Sequence, residues 1–180
     1  RRWPAPDAPI EGAVQVQVPD LGVWARWVPP GWRLAGELSS TAGVGGRFGA
    51  PEYTGELRGS GIAVRNLLQG LEFSDGDLLI ALKGDRAEIE RMSIRGGDGT
   101  LTAEGQATFG SAPGAQLKVT AQRFRVLGRI DRQLVTSGNA SLTLRPDRLR
   151  LEGSVGIDSG LFDISRSDAP SLDDDVTVRR

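Results

Sequence analysis

The chain has 180 residues, 38% of them hydrophobic and 25% charged, with 25 Gly, 10 Pro and neither Cys nor His. That length suits one domain, and the missing side chains exclude disulfides, thiol–imidazole pairs, Ser–His–Asp triads and ordinary zinc sites. A net charge of −1, from 22 basic and 23 acidic residues, supplies no general field toward nucleic acid.

Taken in chain order, the pattern is alternation of period two. Val14, Val16 and Val18 oppose Gln15 and Gln17, predicting a strand over 13–18. The next segment differs. Asp20 is an N-cap candidate, Leu21, Trp24 and Val28 lie at helical spacing, and Pro29-Pro30-Gly31 stops the run. A short amphipathic helix is expected over about 20–28. Its Trp24 and Trp27 either cap the end of a sheet, or line the mouth of an apolar groove or touch a lipid interface.

Alternation returns at 32–38, with Trp32, Leu34, Gly36 and Leu38 against Arg33, Ala35 and Glu37. Strands are expected at 53–58, 61–65, 77–83 and 86–94. The clearest is 99–109, where Leu101, Ala103, Gly105, Ala107 and Phe109 face one way and Thr100, Thr102, Glu104, Gln106 and Thr108 the other. Segments 115–121 and 139–145 follow. In 148–158, Leu149, Leu151, Gly153, Val155 and Ile157 oppose Arg148, Arg150, Glu152, Ser154 and Asp158; a last strand is expected at 161–165. Turn residues such as Ser74-Asp75-Gly76, Gly96-Gly97-Asp98-Gly99 and Arg145-Pro146-Asp147 separate these runs. The reading is an all-β antiparallel meander over 32–165, closed by an acidic linker and final strand over 166–180.

The inward faces are apolar but often small, as at Gly36, Ala103, Gly105, Ala107, Ala121 and Gly153. Such a face suits a sheet curled around something that is not protein; alternatively its glycines mark the bulges that curve the sheet. Chemistry-bearing patterns are weak. Gly43-Val44-Gly45-Gly46-Arg47-Phe48 fails the phosphate-loop pattern, having Phe48 at its last position and no helix after it. Asp75-Gly76-Asp77 and Asp173-Asp174-Asp175 lack the spacing of a calcium loop. Arg123, Arg125, Arg129 and Arg132, with Asp131 among them, read as a solvated rim rather than an anionic-headgroup site. No catalytic, cofactor or metal residues are expected, and the chain does not read as an enzyme. No apolar run approaches the ~18 residues of a membrane span, and both ends read as falling within a longer polypeptide.

Three stretches together resemble the TamB family in its carboxy-terminal domain: 32–66 with its repeated Gly-x-Leu-x-Gly, the Gly-Gly-x-Gly turn opening 96–109, and SGNASLTL with LRLEGSVGIDSGLFDIS over 137–165. The resemblance, drawn over essentially the whole chain, implies an elongated open half-pipe (a β-taco) with a hydrophobic interior. It implies a periplasmic location, with the full-length protein anchored in the inner membrane of a Gram-negative bacterium. It implies a part in outer-membrane biogenesis within the translocation and assembly module. Phospholipid would be conducted between inner and outer membranes; alternatively, the chain would be a chaperone-like platform for outer-membrane β-barrels and autotransporters. The implied partners are phospholipid acyl chains, a TamA-like outer-membrane barrel and unfolded outer-membrane strands, with no nucleic acid. The lining expected is Leu34, Leu38, Leu101, Ala103, Phe109, Leu149, Leu151, Val155 and Ile157, with Trp24 and Trp27 at the groove end.

Overall fold

Nine strands form one antiparallel sheet, ordered as they occur in the chain, in a computed structural model that describes residues 3–162. They are β1 (Gly12–Val18), β2 (Trp32–Arg47), β3 (Ala50–Asn66), β4 (Leu71–Gly84), β5 (Arg86–Gly96), β6 (Gly99–Thr108), β7 (Gly114–Gly128), β8 (Arg132–Arg145) and β9 (Arg148–Phe162). Short turns join successive strands from β2 onward, while residues 19–31 link β1 to β2; each strand pairs with its sequence neighbours and the sheet stays unclosed.

The strands are fewer and longer than the alternation predicts. The expected strands 53–58 and 61–65 are one strand, β3, with a register irregularity between Gly59 and Ile62. A bulge shifts the side-chain parity, so one strand reads as two. The Gly-rich stretch 39–47 is not a turn: it continues β2 and pairs with both β1 and β3. The expected strand at 161–165 begins inside β9; its remainder and the segment 166–180 lie outside the described residues.

The expected helix over 20–28 is a six-residue 3-10 helix, Leu21–Arg26. Asp20 does cap it, its Oδ1 accepting from the Gly22 N–H at 2.8 Å. The helix makes two tight turns, which place residues three apart in line. Of Leu21, Trp24 and Trp27, only Leu21 is buried. The helix packs against β2, whose residues before Leu38 have no partner in β1.

The sheet is not flat. The hairpin β5–β6 ends at Gly96–Gly99, and beyond its tip the longer β4 and β7 come together. The Gly128 N–H donates to the Gly70 carbonyl at 2.8 Å, and the Phe73 and Phe124 rings stack with centroids 5.1 Å apart. Three strand spacings of about 4.8 Å would hold these strands roughly 14 Å apart in a flat sheet. A short hairpin enclosed by converging neighbours acts like a dart in cloth and forces a curl. At the opposite rim Tyr53 of β3 meets Phe109 edge-on at 6.1 Å, across the β4–β5 turn, where the Phe109 N–H donates to the Asp85 carbonyl.

Candidate functional site

Directly opposed residues of antiparallel strands share a face, so the register fixes what each side of the sheet presents. One row runs Val16, Ser40, Leu57, Ile80, Ile89, Gly105, Leu117, Leu142, Leu151, one residue from every strand. The next residue along gives the other face: Gln15, Thr41, Glu56, Ala81, Glu88, Gln106, Gln116, Thr143, Arg150. The sheet is therefore apolar on one side and polar on the other from edge to edge. Ion pairs stud the polar side, among them Lys83 with Glu88 at 2.6 Å and Lys118 with Glu104 at 3.6 Å. The Glu88 carboxyl is held below its ordinary range chiefly by the Lys83 hydrogen bond, which outweighs desolvation.

Phe73 and Phe124 locate the concave side. Phe73 pairs with Val64, itself opposite Leu34, while Phe124 pairs with Thr136, itself opposite Ile157. Both rings belong to the apolar face, and side chains from strands so far apart converge only on a concave surface. The apolar face is thus the inside of the half-pipe.

Nothing covers it. A domain ordinarily buries such a face against a second layer, yet among the described residues only Leu21, Ala103 and Phe124 are buried apolar side chains. On β9, Leu149, Leu151, Val155 and Ile157 are 66–72% exposed. A cavity of about 460 Å³ is lined chiefly by polar-side residues such as Glu104, Gln106, Gln116 and Lys118; the trough is an open face.

The glycines of the small-residue stripe answer to curvature. Gly36 has φ +114° and sits at the bulge between Ala35 and Glu37, where a Cβ would lie 2.7 Å from the Ile62 Cα. A Cβ on Gly105 would collide with the Gln116 carbonyl. These positions let neighbouring backbones approach as the strands bend.

Of the residues singled out in the sequence, Leu34, Leu38, Leu101, Ala103, Leu149, Leu151, Val155 and Ile157 fall on the apolar face. Phe109 lies at its rim beside Tyr53. Trp24 and Trp27 are not brought into those rows; they belong to the 3-10 helix and its cap and are 42% and 86% exposed. Sequence reasoning missed Leu57, Ile80, Ile89, Leu117 and Leu142, the middle of the trough. Alternation within 53–58 and 115–121 carried that signal for Leu57 and Leu117. Asp75 and Asp77 are drawn to Arg95 at 3.7 Å and Arg91 at 2.7 Å, and the described residues contain no acidic group arranged to hold a metal.

A single curled sheet, polar outside and apolar within, unlayered and unclosed, defines a β-half-pipe with an exposed hydrophobic interior. The family model described as the TamB C-terminal domain matches residues 86–180, which take in β5 to β9, and the chain belongs to the TamB family. Residues 1–85 lie outside that match, yet β1 to β4 within them belong to the same sheet. No curated protein and no solved structure matches the chain. Membership places it among Gram-negative envelope proteins of TamB-type outer-membrane assembly. No helix among the described residues is long and apolar enough to cross a membrane.

Proposed function

We propose that the chain is a non-enzymatic carrier segment whose concave face shields phospholipid acyl chains as they cross the periplasm between inner and outer membranes. One observation supports this above the others: an apolar face continuous over nine strands, with no second layer upon it among the described residues. Each methylene moved from water onto such a face is worth about 0.8 kcal/mol. Repeated Leu, Ile, Val and Ala rows offer near-equivalent positions, so a chain gains shelter without falling into one deep site. The partner barrel would be TamA-like, and the full-length protein anchored in the inner membrane.

The test is to purify the chain from a bacterial periplasm without detergent and analyse its organic extract by mass spectrometry. Phospholipid in stoichiometric amount, lost in a folded Leu117→Glu variant, is the expected result. A folded chain free of lipid would overturn the proposal.

A second reading draws on β9. This fifteen-residue strand pairs with β8 alone among the described residues, and such an edge can template an added strand. That arrangement suits a platform for unfolded outer-membrane β-barrel or autotransporter strands. Proline substitution of outward-facing β9 amides would impair this activity and spare lipid loading.

A further inference from the structure

Among the described residues only two that carry a Cβ have a positive φ, Asp75 at +51° and Arg123 at +48°. Each lies within two residues of a ring in the Phe73–Phe124 stack. Each also falls in a register irregularity: β4 against β5 between Ser74 and Asp77, and β7 against β8 between Ala121 and Phe124. Left-handed backbone is unfavourable for a residue with a side chain and persists only where its surroundings hold it. Strain is thus gathered where β4 and β7 close past the β5–β6 hairpin.

What holds Arg123 lies on the outer, polar side. Thr136 and Gly138 pair with Phe124 and Ala121, so Ser137 between them faces the extra residues of the β7 bulge. Its Oγ accepts from the Arg123 N–H at 2.9 Å and donates to the Asp158 Oδ2 at 2.5 Å. A hydroxyl has one proton; by taking it, the carboxylate turns a lone pair toward the amide. Asp158 is itself the extra residue of β9, between Ile157 and Ser159. On the inner side Phe124, next to Arg123, is buried against Phe73. A Cβ on Gly99 would strike the Arg123 carbonyl, so the hairpin backbone lies close against the same bulge. The polar chain outside and the aromatic closure inside share one distorted turn of backbone.

We propose that β4 and β7 form a clasp locked from the outer face. The Asp158–Ser137 pair holds the Arg123 bulge in the conformation that turns Phe124 into the trough. Release of that pair lets β7 part from β4, and the half-pipe widens at that rim. Because Asp158 belongs to the edge strand β9, the width of the trough answers to the state of that edge. The inference concerns the sheet itself and does not depend on what the trough carries.

The test is amide hydrogen exchange, followed by nuclear magnetic resonance on the whole chain. The Gly128 N–H is the reporter, because it donates to the Gly70 carbonyl across the clasp at 2.8 Å and exchange reads even sparsely populated open states. The Phe109 N–H, bonded to the Asp85 carbonyl at the opposite rim, is the internal control. Ser137→Ala should speed Gly128 exchange about fivefold and leave Phe109 as in the wild type. Ser137→Thr keeps the hydroxyl and Asp158→Asn keeps an acceptor oxygen, so both should match the wild type; Asp158→Ala should fall between. Ser141→Ala, on the same face of β8 but away from the bulge, should alter neither amide. Unchanged Gly128 exchange in Ser137→Ala would overturn the proposal. So would equal acceleration of Gly128 and Phe109, which marks a general loss of stability. Acceleration in Ser137→Thr as large as in Ser137→Ala would overturn it too, since the hydroxyl would then be irrelevant.

Discussion

Gly105 stands in the middle of β6, where an added Cβ would run into the Gln116 carbonyl and lie 3.0 Å from the Leu117 Cα. Backbone, unlike the tip of a long side chain, cannot swing aside. Gly105→Ala should therefore cost about 1–3 kcal/mol in urea unfolding. Gly45 provides the comparison: its Cβ would meet nothing within 4 Å, and Gly45→Ala should be near neutral. Charge at single residues has a signed consequence. The Lys83 hydrogen bond depresses the Glu88 carboxyl below its ordinary value of 4.5, against the opposing effect of desolvation. A depressed carboxylate contributes stability above its unfolded value that is lost as pH falls through the folded one. Glu88→Gln should thus lower stability slightly at neutral pH and flatten its decline below about pH 4.5. The effect is small because the pair lies in solvent.

Within the sheet, the enclosed hairpin β5–β6 sets the curvature, and Phe124 is its keystone at 6% exposure. Phe124→Ala removes the stack on Phe73 and should cost about 3–5 kcal/mol. Leu151→Ala, on the open β9, should cost under about 1 kcal/mol by the same chemical denaturation, because its side chain is already 72% exposed. That contrast marks where the chain depends on packing and where it keeps surface free. Legibility in the sequence divides along similar lines. β6 and β9 could be read residue by residue, since uninterrupted alternation reveals both strand and face. β3 could not be read as one strand, because its bulge shifts parity between Gly59 and Ile62. The 3-10 helix was legible in its Asp20 cap but not in its tightness. The Phe73–Phe124 stack left no local trace at all; only the enclosure of one hairpin by two longer strands brings those rings together.

For the whole molecule, a one-layer sheet offers little interior, and its apolar side must meet either lipid, another chain or water. The last is costly at about 25 cal/mol per Å² of apolar surface. A native, delipidated chain should consequently bind a hydrophobic fluorescent dye strongly, without the loss of near-ultraviolet dichroism that unfolding would bring. The family assignment rests on the order of its Gly-interrupted alternating strands, and the sequence was sufficient for that. The location of the trough's middle was not, because register across nine strands is a property of the assembled sheet. The claim at the centre of this account is that lipid occupies the concave face. The direct measurement is photocrosslinking in bacterial cells, with a photoreactive residue placed at Leu117 or at its neighbour Gln116, which point to opposite faces. Phospholipid adducts at position 117 and none at 116 are predicted. Equal labelling at both positions, or protein adducts without lipid at 117, would contradict the account.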